Sequence, residues 1–260
     1  MSNIYIISVC NNNTIYNRVI GNNPYLANCH ITKYDNSQEN LPIPTRYNHY
    51  IEYELNGQEG WLIFCHQDFQ FLEDPASVLA RLDPNSIYGP IGIYAPKYRT
   101  FLIQFGGQHW IHTHRRKEIR PVLCGQILQG EDRQTLSLGK RLKYPQEVDT
   151  VDCCCLIVHS SLIKRFNLRF DSQFDFHLYS EDFSLAARKH GIKTYACQIK
   201  CRHMSPGNAN ESFWIKYQAL LKKYPNEFFL TTCAGVKQYF YHSLAAHWDI
   251  FPQELYDLYS

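Results

Sequence analysis

The chain has 260 residues, 45% of them hydrophobic, and a formal net charge of +2. This length can bury one sizeable core, and a charge so near zero gives no reason to expect a nucleic-acid partner. The apolar run at residues 4–10 is too short for a secretion signal or a membrane span. We therefore expect a cytoplasmic protein with no transmembrane segment, whose surface can still touch a membrane.

The ten cysteines fit a reducing compartment better than a disulfide framework, because no secretion signal precedes them. Cys197, Cys201 and His203 are close enough in sequence to suggest a zinc site. However, the chain has no C-x-x-C pair, which structural zinc sites normally use. Buried, unreactive thiols are therefore the favoured interpretation.

Apolar and polar segments alternate along the first part of the chain. Strands are predicted over residues 4–9, 30–34 and 61–65. Helices are predicted over residues 14–20, 47–55 and 75–82. Residues 41–45 contain two prolines and are predicted to form a loop.

The same alternation continues to the C-terminus. Strands are predicted over residues 87–94, 101–105, 122–128, 148–158 and 192–199, and helices over residues 160–166, 214–224 and after residue 235. A further helix is predicted from an N-cap at Ser180 to Gly191. The basic, histidine-rich residues 109–120 are predicted to be an exposed loop. Strands that alternate with helices predict an α/β sandwich with a largely parallel sheet.

Three polar motifs follow predicted strands: residues 11–13, residues 66–68 and His203. Ligands of open α/β sheets bind at the carboxyl ends of strands, so these motifs are candidate site residues. In the second motif, His66 and Asp68 supply an imidazole and a carboxylate, which suit Mn²⁺ or Mg²⁺ with bound phosphates. A strand-end turn with a helix-capping aspartate explains the same pattern equally well.

Further carboxylates lie at positions where either a catalytic or a purely structural role is possible. Asp152 lies inside an apolar run, where a charge is costly unless it is paired or liganded. Glu181 and Asp182 open the predicted helix at Ser180, where they complement the helix dipole. A carboxylate that faces a cleft at such a helix start can also accept the proton of an acceptor hydroxyl. The histidines at 109, 112 and 114 can bind phosphate, although a solvated loop is the simpler interpretation.

Together these segments resemble the family 2 type of GT-A glycosyltransferases, in particular the small soluble proteins related to streptomycin biosynthesis. The resemblance spans residues 3–224 and is most specific where His66-Gln67-Asp68 combines with the His-Leu-Tyr-x-x-Asp block at 177–182. The segments that carry it are residues 7–12, 61–69, 151–152, 170–171, 176–188 and 203–205.

The resemblance implies a GT-A (Rossmann-like) three-layer sandwich with a mostly parallel central sheet over residues 1–225. Residues 226–260 would be a helical extension packed on the same domain. The implied activity is inverting transfer of a sugar from a nucleotide-diphosphate-sugar, with a UDP-sugar favoured, to a hydroxyl acceptor. The expected setting is glycan, polysaccharide or lipopolysaccharide biosynthesis.

The resemblance also implies roles for individual residues. The nucleotide would be bound by Ser8, Val9, Cys10, Asn11, His66, Gln67 and Asp68. A divalent cation, Mn²⁺ or Mg²⁺, would be held by His66, Asp68 and His203. The donor or acceptor sugar would contact Asp152, His177 and Tyr179. Asp182 would be the catalytic base, with Glu181 beside it.

Two departures from the family pattern bear on these roles. His66 stands where the family usually has the first Asp of an Asp-x-Asp motif, and Cys153 follows Asp152 where Glu or Gly is usual. A non-catalytic GT-A-like module that binds a nucleotide or a glycan is therefore the alternative function. A hydrolase using Glu181 and Asp182 is disfavoured, because adjacent residues seldom flank one substrate bond. A nucleotidyltransferase would need a Gly-rich, basic loop that residues 11–13 do not provide.

Overall fold

A computed structural model describes residues 3–94, 102–105, 108–111, 122–131, 135–205, 210–227 and 229–232. The predicted helix after residue 235, and with it nearly all of the predicted extension 226–260, lies outside these residues. In the described part of the chain, no helix is both long enough and apolar enough to span a membrane.

The strands of the described residues are numbered β1–β15 in chain order. They are β1 (Asn3–Cys10), β2 (His30–Asp35), β3 (Gly60–His66), β4 (Phe69–Phe71), β5 (Ile87–Gly89), β6 (Ile91–Tyr94), β7 (Leu102–Phe105), β8 (Gln108–Ile111), β9 (Val122–Gln129), β10 (Leu136–Lys140), β11 (Gln146–Glu147), β12 (Thr150–Val151), β13 (Cys155–His159), β14 (Thr194–Ala196) and β15 (Cys201–His203).

The helices of the same residues are numbered α1–α6. They are α1 (Asn13–Tyr16), α2 (Ile43–His49), α3 (Ala76–Leu79), α4 (Ser160–Phe166), α5 (Tyr179–Arg188) and α6 (Glu211–Lys223). Turns of π-helix at Asn17–Gly21 and Tyr50–Glu54 extend α1 and α2, and a 3₁₀ turn covers Pro24–Leu26.

Seven strands form the central sheet in the order β11-β14-β5-β13-β3-β1-β2. Strands β2, β1 and β3 are parallel to one another, and β5 is parallel to β14. Only β13 and β11 run against their neighbours in this sheet of the described residues. The predicted mostly parallel central sheet is therefore confirmed.

A second sheet has the order β12-β6-β9-β15-β4, with β10 paired to β9. The predicted single strand at 87–94 is wrong, because Pro90, which has no N–H to donate, separates β5 in the central sheet from β6 in the second sheet. Of the predicted strand at 192–199, only residues 194–196 form a strand, β14 of the central sheet, and β15 of the second sheet lies beyond the predicted range. The chain therefore passes repeatedly between the two sheets.

Side chains alternate between the two faces of the central sheet, and each face has its own core. On β3, Leu62 and Phe64 join the cluster that includes residues of α2, α4, α5 and α6. Trp61 and Ile63 point into the other cluster, which includes residues of α1 and α3 and of the second sheet. Helices thus cover both faces, and the layered α/β arrangement follows from strands that are buried on both sides.

Three local predictions are corrected. Helix α2 begins at Ile43 within the predicted loop, because prolines are tolerated in the first turn of a helix. The predicted N-cap Ser180 lies inside the first turn of α5, whose N-cap is Leu178 with φ 65°. The apolar run at 148–158 is broken by Asp152, whose Oδ1 accepts the Cys154 N–H at 2.9 Å and forms a turn between β12 and β13.

Candidate functional site

The parallel strands β1, β2 and β3 end at the same edge of the central sheet, as the sequence predicts. Gln67, just beyond β3, ties this edge together. Its Oε1 accepts the backbone N–H groups of Asn11 at 3.0 Å and Asn12 at 2.8 Å, and its Nε2 donates to Asn11 Oδ1 at 2.6 Å. The loops after β1 and β3 are thus fixed to each other.

His66, Asp68 and His203 converge beside this edge. Their potential ligand atoms all lie within 4.8 Å of one another. His66 Nδ1 is 3.3 Å from His203 Nε2, and the same His203 nitrogen is 3.4 Å from Asp68 Oδ1. The three residues predicted to hold a metal therefore form one group, and it is the one group of this kind in the described part of the chain.

The position of His203 depends on the pairing of two short strands. β15 runs antiparallel to β4, with His203 opposite Phe69, so the end of β15 meets the turn that contains Asp68. Asp68 is fixed from the same side, because its Oδ2 accepts the Ser205 N–H at 3.1 Å and its carbonyl accepts the Met204 N–H at 3.2 Å. His66 thus comes from a strand of the central sheet, and His203 comes from a strand of the second sheet.

The environment shifts the pKa values of the two imidazoles in opposite directions. Burial, and then the neighbouring His203, lower the pKa of His66 to about 4, so His66 is neutral at physiological pH. Burial alone would lower the pKa of His203, but the Asp68 carboxylate beside it raises that pKa. Burial would raise the pKa of Asp68, yet contact with His203 brings it to about 2. Asp68 is therefore ionised.

These donors fit a divalent cation. His66 Nε2 is buried and has no hydrogen-bond partner among the described residues. A neutral imidazole, an ionised carboxylate and a second imidazole make a mixed nitrogen and oxygen donor set, which Mn²⁺ and other borderline divalent metals accept. Among the described residues, Cys197 and Cys201 do not join His203 in such a group, which leaves the zinc interpretation without geometric support.

The residues predicted to bind the nucleotide differ in their exposure. Ser8, Val9 and Cys10 are buried in β1, whereas Asn11 is exposed at its end. The side chains of these three residues are covered by protein, and β1 pairs with a strand on each side. Their roles stay predictions.

Sequence reasoning missed Asp35, which lies at the same edge. Asp35 ends β2 opposite Cys10, and its Oδ1 accepts hydrogen bonds from the Ser37 N–H at 3.0 Å and hydroxyl at 2.6 Å, which lowers the pKa of Asp35. Lys33 of the same strand contacts the Asn13 side chain. The argument used for residues 66–68, polar residues directly after a strand, would also have identified Asp35.

Asp152 and Glu181 are two further carboxylates, of which Glu181 is fully buried and Asp152 is partly exposed. The Asp152 carboxylate accepts a hydrogen bond from the Thr232 hydroxyl at 2.5 Å. Glu181 Oε2 accepts one from the Cys153 thiol at 2.9 Å. Burial would raise the pKa of Asp152, but His203 and the hydrogen bonds from Thr232 and Cys154 lower it. For Glu181, burial and the nearby Asp152 charge raise the pKa to about 8.

Asp182 faces a different set of partners from Glu181. Its Oδ1 lies 2.7 Å from Lys223 Nζ and accepts a hydrogen bond from the Tyr224 hydroxyl at 2.9 Å. The residue is only 1% exposed, and this burial raises its pKa against the opposing effect of Lys223. The structure therefore separates the two adjacent carboxylates into different environments.

His177 and Tyr179 flank Leu178 at the start of α5. His177 is half-buried and packs edge-on against Phe213. Tyr179 is fully buried, its ring centroid is 6.2 Å from that of His66, and its hydroxyl donates to the Cys153 carbonyl at 2.9 Å. Their predicted contacts with a sugar stay predictions. The side chains of the basic residues 109–117 lie outside the described part of the chain.

Comparisons with known proteins place the fold. No family model matches the chain, and no curated protein matches its sequence. Among solved structures, S. aureus TarS 1–349 in complex with UDP matches with TM-score 0.50 and 11% identity, over 100% of this chain and 75% of that chain. S. aureus TarS matches with TM-score 0.45 and 11% identity, over 97% of this chain and 44% of that chain.

This chain thus spans 44% of the length of the S. aureus TarS structure. At 11% identity, the likeness to the UDP complex concerns the fold alone, and together with the mostly parallel central sheet it confirms the predicted GT-A α/β architecture. The predicted relation to streptomycin-biosynthesis proteins stays a prediction.

Proposed function

We propose that this chain is a glycosyltransferase that moves a sugar from a nucleotide-diphosphate-sugar, with a UDP-sugar favoured, to a hydroxyl acceptor. The observation that carries the proposal is the convergence of His66, Asp68 and His203 next to the carboxyl ends of β1 and β3. Ligands of such sheets bind at this edge. A fold shared with a protein crystallised with UDP supports the choice of donor.

The three converging residues would hold Mn²⁺ or Mg²⁺. When bound, such a cation neutralises negative charge on a leaving diphosphate. The protein's own residues prepare two of these donors: Asp68 is ionised and fixed by two backbone N–H groups, and His66 is neutral. His203 must also be neutral to bind the cation, and the Asp68 carboxylate that raises its pKa opposes this, so cation binding should release a proton where His203 is protonated.

Of the two adjacent carboxylates, we assign Asp182 as the general base. A base must be ionised at the working pH; burial raises the pKa of Asp182, and the Lys223 ammonium beside it opposes this by favouring the charged form. Glu181, with a pKa of about 8, holds its proton at neutral pH and cannot accept another. Lys223 and Tyr224, at the end of α6, cover Asp182. The acceptor hydroxyl would therefore reach Asp182 only after these two side chains move. Hydrogen bonds between a catalytic base and its substrate often form fully only in the substrate complex.

The proposed reaction is a single displacement. The acceptor oxygen forms a bond to the anomeric carbon of the sugar, the bond from that carbon to the diphosphate oxygen breaks, and the nucleoside diphosphate leaves as an anion. The acceptor proton passes to Asp182. The configuration at the anomeric carbon is then inverted, which NMR of the product would show.

The test measures turnover of a panel of UDP-sugars with Mn²⁺, as transfer to hydroxyl acceptors or as hydrolysis. Asp182→Asn should lower kcat by about 100-fold or more, because it removes the base while keeping the shape of the side chain. Asp68→Ala should weaken Mn²⁺ binding in calorimetry and lower turnover with it. Glu147→Gln, which removes an exposed carboxylate of β11 ion-paired to Lys193, is the control and should leave both unchanged.

Two outcomes would contradict the proposal. If Asp182→Asn and Asp68→Ala both leave a detected turnover unchanged, the site is wrongly assigned. If UDP binds tightly without metal and no sugar is turned over, the chain is the nucleotide-binding module that the His66 departure from Asp-x-Asp suggests.

A further inference from the structure

Phe176 is the only exposed phenylalanine among the side chains that the structure describes, with 57% of its surface accessible. The other exposed aromatic residues among these described side chains are the tyrosines Tyr25, Tyr53 and Tyr144, whose hydroxyls can bind water. The exposed phenylalanine ring offers its surroundings only an apolar surface.

The exposed ring lies directly beside the candidate metal group. The centroids of the Phe176 and His66 rings are 6.1 Å apart, and their planes differ by 13°. The exposed ring of Phe176 thus lies nearly parallel to the ring of a proposed metal ligand. It presents an apolar face beside a group that would bind a diphosphate.

The segment that carries Phe176 is held in place without a ligand. Asp175 Oδ1 accepts the Phe176 N–H at 2.8 Å, Asp175 Oδ2 lies 3.1 Å from Lys216 Nζ, and the Asp175 carbonyl accepts the Ile43 N–H at 2.9 Å. The His177 ring packs edge-on against Phe176, with centroids 4.9 Å apart. A surface organised in this way binds with little loss of conformational entropy.

We infer that Phe176 is the surface on which the pyranose ring of the donor sugar stacks, an inference that rests on the proposed function. One face of a pyranose consists of C–H groups, which pack well on an apolar, electron-rich aromatic face. The sugar is bonded directly to the diphosphate that the metal group would hold, whereas the nucleobase is separated from it by a ribose. The ring next to His66 is therefore placed for the sugar.

The experiment compares affinities for UDP with those for UDP-glucose, UDP-galactose and UDP-N-acetylglucosamine, by calorimetry with Mn²⁺. In Phe176→Ala the affinity for UDP should stay as in the wild type, while that for the best UDP-sugar should fall about three- to tenfold, the usual worth of an aromatic stacking contact. Phe176→Trp should keep the affinity, and its fluorescence should change with that UDP-sugar but not with UDP.

Tyr53→Ala is the matched control, since it removes an exposed ring that packs against His49 instead of the metal group. It should behave as the wild type. The inference is overturned if Phe176→Ala keeps the wild-type ratio of UDP-sugar to UDP affinity, or if it loses both equally while remaining folded. Absence of UDP binding in the wild type would instead overturn the proposed function and this inference with it.

Discussion

Glu181 is a carboxylic acid enclosed by protein, with one oxygen bonded to the Cys153 thiol and Oε1 unpaired among the described residues. Burial raises its pKa from 4.5 to about 8. At a pH between 4.5 and about 8, Glu181 has therefore lost its proton in the unfolded chain but keeps it in the native protein. The free energy of unfolding must then fall as pH rises, by up to about 1.4 kcal/mol per pH unit from this group.

Glu181→Gln removes this titration while keeping the shape of the side chain. We expect the wild type to lose stability between pH 5.5 and pH 7.5 by on the order of 2 kcal/mol more than the variant. Urea unfolding of both proteins at the two pH values measures the difference. If the free energies of unfolding of the two proteins differ by the same amount at pH 5.5 and at pH 7.5, Glu181 is already ionised in the native state.

At the residue scale, sequence reasoning reached the metal group but not its surroundings. His66, Asp68 and His203 follow predicted strands. The rule that ligands bind at the carboxyl ends of strands selects them, and so does the family resemblance. The contact of Asp182 with Lys223 and Tyr224 joins the start of α5 to the end of α6, which no local pattern encodes. The same is true of the Thr232 hydroxyl on Asp152, which required the tertiary fold.

At the element scale, the second sheet depends on a close approach of backbones at Gly125. This residue of β9 has φ 88°, and a Cβ there would lie 2.1 Å from the carbonyl oxygen of Pro90. Gly139 of β10 approaches Gly125 in the same way, with a Cβ position 2.2 Å from the Gly125 carbonyl oxygen. Three strands therefore come together where only hydrogen fits.

Gly125→Ala should destabilise the protein by about 2–5 kcal/mol, since it adds backbone strain to a steric clash. Gly191→Ala is the matched control, because Gly191 has φ 75° but open space where a Cβ would be. We expect it to cost only about 1 kcal/mol. Chemical denaturation of the two variants compares the costs. Equal losses would mean that strand packing does not constrain position 125.

Hydrophobic periodicity predicted β1, β2, β3 and α4 close to their observed bounds. It failed where one apolar run serves two sheets, as at Pro90 and Asp152. An apolar run looks the same whether or not the chain changes sheet within it, because both sheets bury their strands. The short strands β4 and β10 were missed, since three to five residues give too few periods to detect.

At the scale of the whole molecule, the metal group lies between the sheets, since His66 ends a strand of the central sheet and His203 a strand of the second. A cation bound there stabilises the native state alone. At a hundred times its Kd, Mn²⁺ adds about 2.7 kcal/mol, which should raise Tm by roughly 5–10 °C.

A thermal-shift series with Mn²⁺ tests this expectation. Asp68→Ala should abolish the shift, and Asp35→Ala should keep it, because Asp35 lies at the same edge but outside the metal group. An equal shift in both variants would place the cation elsewhere.

The repeated passage of the chain between the sheets also limits how the protein can be divided. A cut at any bond between the end of β4 and the start of β14 leaves strands of both sheets on each fragment. Neither fragment contains a complete sheet, so we expect that neither can bury a core and fold by itself. Such a cut also leaves His66 and Asp68 on one piece and His203 on the other, so a reconstituted pair would regain cation binding only upon reassociation.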